Sequence, residues 1–221
     1  MDAIECIRTR MSIRRFKPDP VPKDIILSIV NTALRSPSYK NSQPWEAVIV
    51  SGKKKDELTN LLTGLLEKGA EPKPDLPEPK SWPTVTDARI KENFSERTTF
   101  FGIDVSDLKI YTKKAKLANF RFYGAPHAIF LFQDSSLAMW SVLDMGIFAQ
   151  STMLAAHAYG VGTVPQAFLT DYSTEIKGFL RIPETNRLIL GISLGYPDMT
   201  DRVNSYRSRR INAEEMLRWE D

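Results

Sequence analysis

A long apolar segment, residues 137–159, constrains the fold of this chain more than any other feature. The segment is long enough to cross a membrane, but Asp144, Gln150 and His157 interrupt it, and serine, threonine and alanine dilute its hydrophobicity. We therefore interpret it as a central helix that is buried on most sides. The apolar run just before it, residues 128–132, is typical of a fully buried strand. No membrane association is predicted.

Helices and strands alternate along the rest of the chain. Apolar residues at helical spacing predict helices, and short runs of apolar residues predict strands between them. The predicted helices cover residues 2–10, 22–36, a stretch after Gly52, residues 106–122 and residues 172–180, and the predicted strands cover residues 45–50, a short run near residue 163 and residues 187–194. Such alternation indicates a single α+β domain, a three-layer sandwich in which helices flank a mixed central sheet.

Two segments stand apart from this alternation. Five prolines lie between residues 72 and 83, a density that excludes helix and interior strand. We expect residues 70–105 to form an extended connection or a lid. From about residue 197 the chain is polar and basic, which predicts a C-terminal arm.

Composition excludes several classes of protein. Hydrophobic residues make up 42% and charged residues 26% of the 221-residue chain, as in ordinary globular proteins. A formal charge of +3 is too small for a general nucleic-acid binder. One cysteine, Cys6, and two histidines leave no disulfide and no usual zinc cluster. Asp2 and Glu5 interrupt the first apolar stretch, so we predict no signal peptide and a cytoplasmic location.

One catalytic motif matches the sequence but lacks a residue that its chemistry requires. Residues 191–195 match G-x-S-x-G, the nucleophile elbow of hydrolases, but no histidine follows Ser193 in the chain. We therefore interpret Ser193 as part of a buried strand.

Two clusters of arginine carry more specific chemistry. Arg10, Ser12 and Arg14 lie near the N-terminus, and Arg207 and Arg209 lie in the basic arm. Guanidinium groups bind phosphate through forked donors better than lysine does. The alternatives are a solvated basic surface or contacts to nucleic-acid phosphates. No aromatic platform or helix-turn-helix pattern accompanies the clusters, so no nucleic-acid partner is predicted.

Three separated segments, residues 10–16, 36–45 and 191–209, resemble the FMN-dependent nitroreductase family in order and spacing. The resemblance covers nearly the whole chain except about residues 71–107. It implies an intertwined homodimer with FMN at the subunit interface. The implied cofactor-binding residues are Arg10, Met11, Ser12, Arg14, Pro37, Ser38, Tyr39, Asn41, Arg121, Asp144, Ile147, Pro165, Gln166, Ala167, Arg207 and Arg209.

The resemblance also implies a role for individual members of this set. Arg10, Ser12, Arg207 and Arg209 would hold the FMN phosphate. Arg14 would lie near the pyrimidine side of the flavin, where a positive charge stabilises the reduced form. The loop of residues 37–43 would reach the partner subunit's flavin, and the backbone N–H of Ala167 would approach flavin N5.

The implied reaction is ping-pong hydride transfer. NADH or NADPH reduces FMN and leaves, and a nitroaromatic or quinone acceptor then takes its place. No catalytic side chain and no metal are expected, because the flavin carries the chemistry. The substrate pocket would be lined by Tyr39, Phe100, Phe101 and Phe168.

Two matters stay open in the sequence. If residues 100 and 101 lie in an extended segment, their side chains point in opposite directions and one faces the pocket; both could instead pack into the core or the dimer interface. The alternative functions are a reductive dehalogenase or ene-type reductase on the same scaffold, or a non-catalytic protein that binds flavin or nucleic acid.

Overall fold

A computed structural model describes residues 2–220. The seven helices of this part of the chain are α1 (Ala3–Thr9), α2 (Lys23–Ala33), α3 (Gly52–Glu67), α4 (Thr84–Phe101), α5 (Leu108–Phe120), α6 (Met139–Ala158) and α7 (Ser173–Leu180). The four strands are β1 (Glu46–Ser51), β2 (His127–Asp134), β3 (Gly162–Gln166) and β4 (Asn186–Gly195). Every helix and strand predicted from periodicity is present, with ends shifted by a few residues.

The strands form one sheet in the order β1-β2-β4-β3. Its register is defined by pairs such as Val48 with Phe130 and Val164 with Ser193. The predicted α+β class is confirmed, with one correction to the sheet. All neighbouring strands are antiparallel, and parallel pairing within residues 2–220 is limited to an isolated bridge between Ser12 and Thr163. The prediction of a mixed sheet, with both parallel and antiparallel strands, is therefore wrong for the four named strands.

Strand β2 lies in the middle of the molecule, and its first seven residues are all buried. Its side chains alternate between two cores because successive strand residues point to opposite faces. Phe130 and Phe132 pack with residues of α3 and α5, whereas Ile129 and Leu131 pack with residues of α2 and α6. The sheet is thus covered by helices on both faces. The fully buried strand predicted from sequence is confirmed.

Helix α6 is the central helix predicted from the apolar segment. Its inner side carries buried residues from Met145 to Ala156 that pack on α2 and the sheet. Its outer side leaves Met139, Trp140 and Leu143 exposed. Within residues 2–220, no helix is both long enough and apolar enough to cross a membrane.

The proline-rich segment is extended, but it is fixed to the domain. Asp75 accepts a hydrogen bond from the backbone N–H of Leu188 at 2.7 Å and from the side chains of Ser173 and Lys177. These bonds attach the segment to α7 and β4. The extended conformation predicted for the later part of residues 70–105 is wrong. No proline follows Pro83 there, and residues 84–101 form α4, which ends at Gly102 with a φ of +63°.

Candidate functional site

The N-terminal segment that carries Arg10, Ser12 and Arg14 lies against β3. The Ile13 N–H donates to the Thr163 carbonyl at 3.0 Å. A Cβ on Gly162 would lie 2.7 Å from Cγ1 of Ile13, a contact too short for any side chain. Glycine at this position is therefore what allows the segment to approach the strand.

Asn204 joins this segment to the C-terminal arm. Its Nδ2 donates to the carbonyls of Arg15 and Asp198, both at 2.8 Å, and its Oδ1 accepts from the Arg14 N–H at 2.7 Å. The residue is 1% exposed, so these bonds form in a site shielded from water. Sequence reasoning did not assign Asn204 a role, since nothing local distinguishes it from other polar residues of the arm.

The joined segments enclose a cavity of about 580 Å³. Its lining is rich in arginine and contains no acidic residue; it consists of Ile7, Arg8, Arg10, Met11, Ser12, Arg14, Asn93, Arg97, Gln150, Tyr206, Arg207, Ser208 and Arg210. Both arginine clusters of the sequence thus contribute to one cavity. Met11 and Ser12 line the same cavity.

Arg10 lies among other cations in this cavity. Burial, together with the charges of Arg210 and Arg207, lowers the pKa of its guanidinium. Its buried Nη1 has no hydrogen-bond partner within residues 2–220, whereas Nη1 of Arg207 donates to the Thr9 carbonyl at 2.8 Å. A bound anion would offset the repulsion among these neighbouring guanidinium groups and would accept a hydrogen bond from the unpaired Arg10 nitrogen.

Arg209, predicted to contact the FMN phosphate, does not line this cavity. Its Nη1 lies 3.1 Å from Glu92 and 3.4 Å from Glu96 on the outer face of α4. These two glutamates are four residues apart, so they present their carboxylates on one side of the helix and draw Arg209 away. The next residue, Arg210, occupies the cavity instead.

A second cavity, of about 630 Å³, adjoins the first. Pro165, Gln166, Ala167 and Phe168 line one side of it. Residues of α5, with Glu78, Ile103 and Tyr123, line the rest. Arg14 and Arg97 line both cavities and so lie where the two meet.

A buried hydrogen-bond network supports this second cavity. The Gln166 amide donates to the backbone and side-chain oxygens of Asn119, both at 3.1 Å, and accepts from the Ser193 hydroxyl. Asn119 in turn donates to the Tyr123 hydroxyl at 3.0 Å, and Tyr123 lines the second cavity together with Arg14. Ser193 is therefore a structural residue, as expected, and the network ends beside the guanidinium at the junction of the cavities.

Burial, and then the charge of Arg97, lower the pKa of Arg14. Arginine nevertheless stays protonated in proteins. The junction of the two cavities therefore keeps a fixed positive charge beside Tyr123. Tyr123 and its neighbour Phe122 have φ values of +52° and +54°, a left-handed conformation that non-glycine residues adopt only where the surroundings enforce it.

The loop of residues 37–43 lies outside both cavities of this chain. Lys40, Asn41 and Gln43 have φ values of +51°, +56° and +48°, so the loop is strained. Ser38 Oγ accepts the Gln43 N–H at 2.9 Å, and the Tyr39 ring stacks on Trp140 with centroids 6.1 Å apart. Pro37, Tyr39 and Asn41 are exposed. The loop thus faces outward, beside the exposed side of α6.

Three other predicted residues lie away from the cavities. Arg121 is exposed at the end of α5, and Tyr123 lines the second cavity in its place. Ile147 is half-buried on the outer side of α6 beside Leu143. Asp144 is buried on α6, where it accepts the Tyr39 N–H.

Phe100 and Phe101, predicted to line the substrate pocket, line neither of these cavities. They end α4, contact each other edge to face at 4.9 Å, and both pack on Tyr206 of the C-terminal arm. Arg202 lies over the Phe100 ring at 5.0 Å. Because the segment is helical, the argument from an extended conformation does not apply.

The donors of the first cavity fit a phosphorylated cofactor. The orphaned Arg10 Nη1, the Ser12 hydroxyl and the guanidinium groups of Arg207 and Arg210 converge there, and the second cavity offers a flat, partly apolar space beside Phe168. Within residues 2–220, no group of histidine, cysteine and acidic side chains could hold a metal ion. The fold and site thus define an α+β protein that holds a phosphate-bearing organic cofactor.

Comparison with known proteins places the chain within that class. The family described as "Nitroreductase family" matches residues 7–196. "Nitroreductase NfnB" of Mycolicibacterium smegmatis is 34% identical over 96% of this chain and 90% of its own length. "4-Nitrobenzoate reductase" of Pseudomonas putida is 31% identical over 94% of this chain and 91% of its own length. The chain therefore belongs to the nitroreductase family.

A solved structure supports the same conclusion. The FMN-dependent nitroreductase NfnB from Mycobacterium smegmatis, in complex with NADPH, superposes with a TM-score of 0.93 at 32% identity, covering 99% of this chain and 98% of that one. The family and the α+β fold predicted from sequence are confirmed, as is the enzyme class, a nitroreductase-type oxidoreductase.

Proposed function

We propose that this protein is an FMN-dependent oxidoreductase that uses NADPH or NADH to reduce nitroaromatic or quinone acceptors. The observation that carries this proposal is the arrangement of Arg10, Arg207 and Arg210 around one cavity, with a buried guanidinium nitrogen that lacks a partner. The printed names of the relatives, an FMN-dependent nitroreductase and a nitrobenzoate reductase, support the same activity.

The phosphate of FMN is held by Arg10, Ser12, Arg207 and Arg210. It carries up to two negative charges, which offset the repulsion among these arginines. Guanidinium forks and a hydroxyl supply directional donors to its oxygens. No acidic residue competes for these donors within the first cavity.

Arg14 and residues 165–168, which line the second cavity, would hold the flavin ring. Arg14 would supply a positive charge that stabilises the reduced flavin. Ala167 would offer its backbone N–H to the ring, and Phe168 would line the space for the acceptor. When bound, FMN supplies the hydride chemistry. The chain's own residues bind, orient and exclude water, and none of them is required as an acid or base.

The active form is a homodimer. Met139, Trp140 and Leu143 on the outer side of α6 form an exposed apolar surface, as interfaces between subunits do. Tyr39 stacks on Trp140 at its edge, so the strained loop of residues 37–43 would be covered with that surface. Pro37, Ser38, Tyr39 and Asn41 then contact the flavin of the partner subunit. The exposed side chains of Met216, Leu217 and Trp219 give the C-terminal arm an apolar surface for the same interface.

The protein acts on small molecules in the cytoplasm. Its only cysteine, Cys6, is a buried free thiol, which suits a reducing compartment. Arg10, Arg14 and Arg207 line one concave cavity, which suits a small anionic ligand better than nucleic acid.

Steady-state turnover tests this function. The apoprotein and the FMN-reconstituted protein are each supplied with NADPH or NADH and a panel of nitroaromatics and quinones. We expect oxidation of the nicotinamide only when FMN and an acceptor are both present. Reconstituted protein that oxidises neither nicotinamide with any acceptor would contradict the proposal.

A further inference from the structure

Arg97 lies at the junction of the two cavities. It lines both of them, and its buried Nε has no hydrogen bond within residues 2–220. Glu78, the only acidic residue of the second cavity, makes no ion pair with it in this part of the chain. A half-buried guanidinium without an anion is costly, so this position is suited to a negatively charged ligand.

The two faces of α4 explain why Arg97 stays unpaired. Glu92 and Glu96 lie on the outer face, where they bind Arg209. Phe94 lies one turn before Arg97 on the inner face and contacts Tyr111 of α5 edge to face at 5.3 Å. This contact packs α4 against α5 and directs Arg97 inward. The acids of the helix are therefore out of reach of its inner arginine.

The charges of the site leave Arg97 in excess once FMN is bound. Six arginines and no acid line the first cavity, whereas the FMN phosphate carries at most two negative charges. Three of those arginines, Arg10, Arg207 and Arg210, are grouped at one end. Arg14 lies at the junction beside Tyr123, and its Nη1 is 3.5 Å from the Ser12 carbonyl. Arg97 approaches the junction from the opposite side, on α4, and has no assigned anion.

We propose that Arg97 forms a subsite for the negatively charged group of an aromatic acceptor, a carboxylate above all, and so selects acidic substrates. A guanidinium presents two parallel donors that match a carboxylate. The second cavity, beside Arg97, has the aromatic side chains of Phe168, Tyr111 and Tyr123 for a flat ring. This inference rests on the proposed function and names the substrate class within it.

Paired acceptors test the subsite. The wild-type holoenzyme and the Arg97→Gln variant are assayed with 4-nitrobenzoate and with its neutral methyl ester. We expect Arg97→Gln to raise the KM for 4-nitrobenzoate about tenfold, since a charge-assisted hydrogen bond contributes at least that factor. The KM for the ester should change less than about twofold, and Arg97→Lys should recover part of the loss. Arg89→Gln, on the outer face of α4, is the matched control and should resemble wild type with both acceptors.

A binding measurement without turnover separates this inference from the proposed function. Benzoate and methyl benzoate are titrated into the oxidised holoprotein, and the flavin absorbance reports binding. Tighter binding of benzoate to wild type, lost in Arg97→Gln, supports the subsite even if no nitro compound is reduced. Equal losses for acid and ester would overturn it. So would a change confined to the KM for NADPH, or a loss of FMN from Arg97→Gln, because Arg97 would then bind the nicotinamide or the flavin.

Discussion

The backbone N–H of Tyr39 donates to both carboxylate oxygens of Asp144, at 3.1 and 3.2 Å. Asp144 is 4% exposed and forms no ion pair within residues 2–220. Its charge is therefore stabilised by hydrogen bonding from the loop. Because Lys40, Asn41 and Gln43 in this loop have positive φ values, the carboxylate holds a strained segment against α6. The sequence resemblance placed Asp144 near the flavin; within its own chain it positions the loop.

Replacing Asp144 with alanine should lower the free energy of unfolding by about 1–3 kcal/mol, the cost of leaving a buried donor without its acceptor. FMN should also bind more weakly, because the loop is proposed to contact the flavin. Urea unfolding and flavin fluorescence titration measure the two effects. Asp19→Ala, which removes an exposed carboxylate that makes no ion pair within residues 2–220, should change both quantities little. An Asp144→Ala protein with unchanged stability and FMN affinity would refute the role.

The neighbouring residues Arg209 and Arg210 provide a sharp test of the phosphate site. Arg210→Ala removes a cation from the cavity and should weaken FMN binding by about 1.5–3 kcal/mol, the range for hydrogen bonds to charged groups. Arg209→Ala removes an exposed cation that pairs with Glu92 and Glu96, so its effect should be within a few tenths of a kcal/mol. Equilibrium dialysis of FMN compares them. A larger loss of FMN affinity in Arg209→Ala than in Arg210→Ala would instead support the phosphate contact that the sequence predicted for Arg209.

His127 should make the protein less stable in mild acid. Its Nε2 accepts the Val21 N–H at 2.9 Å, and burial, followed by the charge of Lys55, lowers the pKa of the ring. As the pH falls below about 6.5, the unfolded chain takes up a proton before the folded one does. The free energy of unfolding therefore decreases from that pH downward, toward the lower pKa of the folded state.

Urea unfolding at about pH 7.5 and about pH 5.5, on either side of the ordinary histidine pKa, measures this effect. His127→Gln should be less stable than wild type at the higher pH and should lose less on acidification. The pKa of His157 is also lowered, by burial and by Arg10 and Arg207, so His157→Gln is needed as a second variant. Identical pH dependence in wild type and His127→Gln would exclude the proposed contribution.

The apolar side of α6 should carry the dimer interface. Leu143 is 55% exposed on this side, and Leu143→Glu would place a charge in a buried interface, which is strongly unfavourable. We expect this variant to sediment as a 25.1 kDa monomer and to lose FMN. Val85→Glu, at an exposed apolar residue of α4, should remain dimeric. A Leu143→Glu protein that is still a flavin-loaded dimer would contradict the proposed interface.

Local patterns were sufficient for most of the fold. The apolar run of residues 128–132 predicted β2, and the interrupted apolar segment predicted α6, because burial on both faces of a strand or on most sides of a helix leaves a continuous signal. Helix α4 was missed because the prolines before residue 84 were taken to define a longer segment than they do. Local sequence patterns also could not predict whether neighbouring strands are parallel or antiparallel, because this depends on which strands pair in the folded sheet.

The sequence indicated which kinds of residue form the candidate site, but it did not indicate which individual residues line it. The arginine clusters indicated the cavity that we propose binds phosphate. Arg209 and Arg210 are adjacent, however, and which of them lines the cavity depends on Glu92 and Glu96, over a hundred residues away. Arg97 was placed in a segment without a recognised pattern. Tyr123 acts on Arg14 through a contact between distant parts of the chain. Such long-range relationships leave no signal in a single sequence.

An anaerobic titration tests the central claim, that this chain holds FMN and passes electrons from a nicotinamide to an aromatic acceptor. The purified, FMN-reconstituted protein is mixed with NADPH or NADH without oxygen, and a nitroaromatic compound is then added. We expect the blue absorbance of the flavin to bleach with at least one nicotinamide and to return on addition of the acceptor. Protein that binds no FMN, or bound flavin that neither nicotinamide bleaches, would contradict the claim.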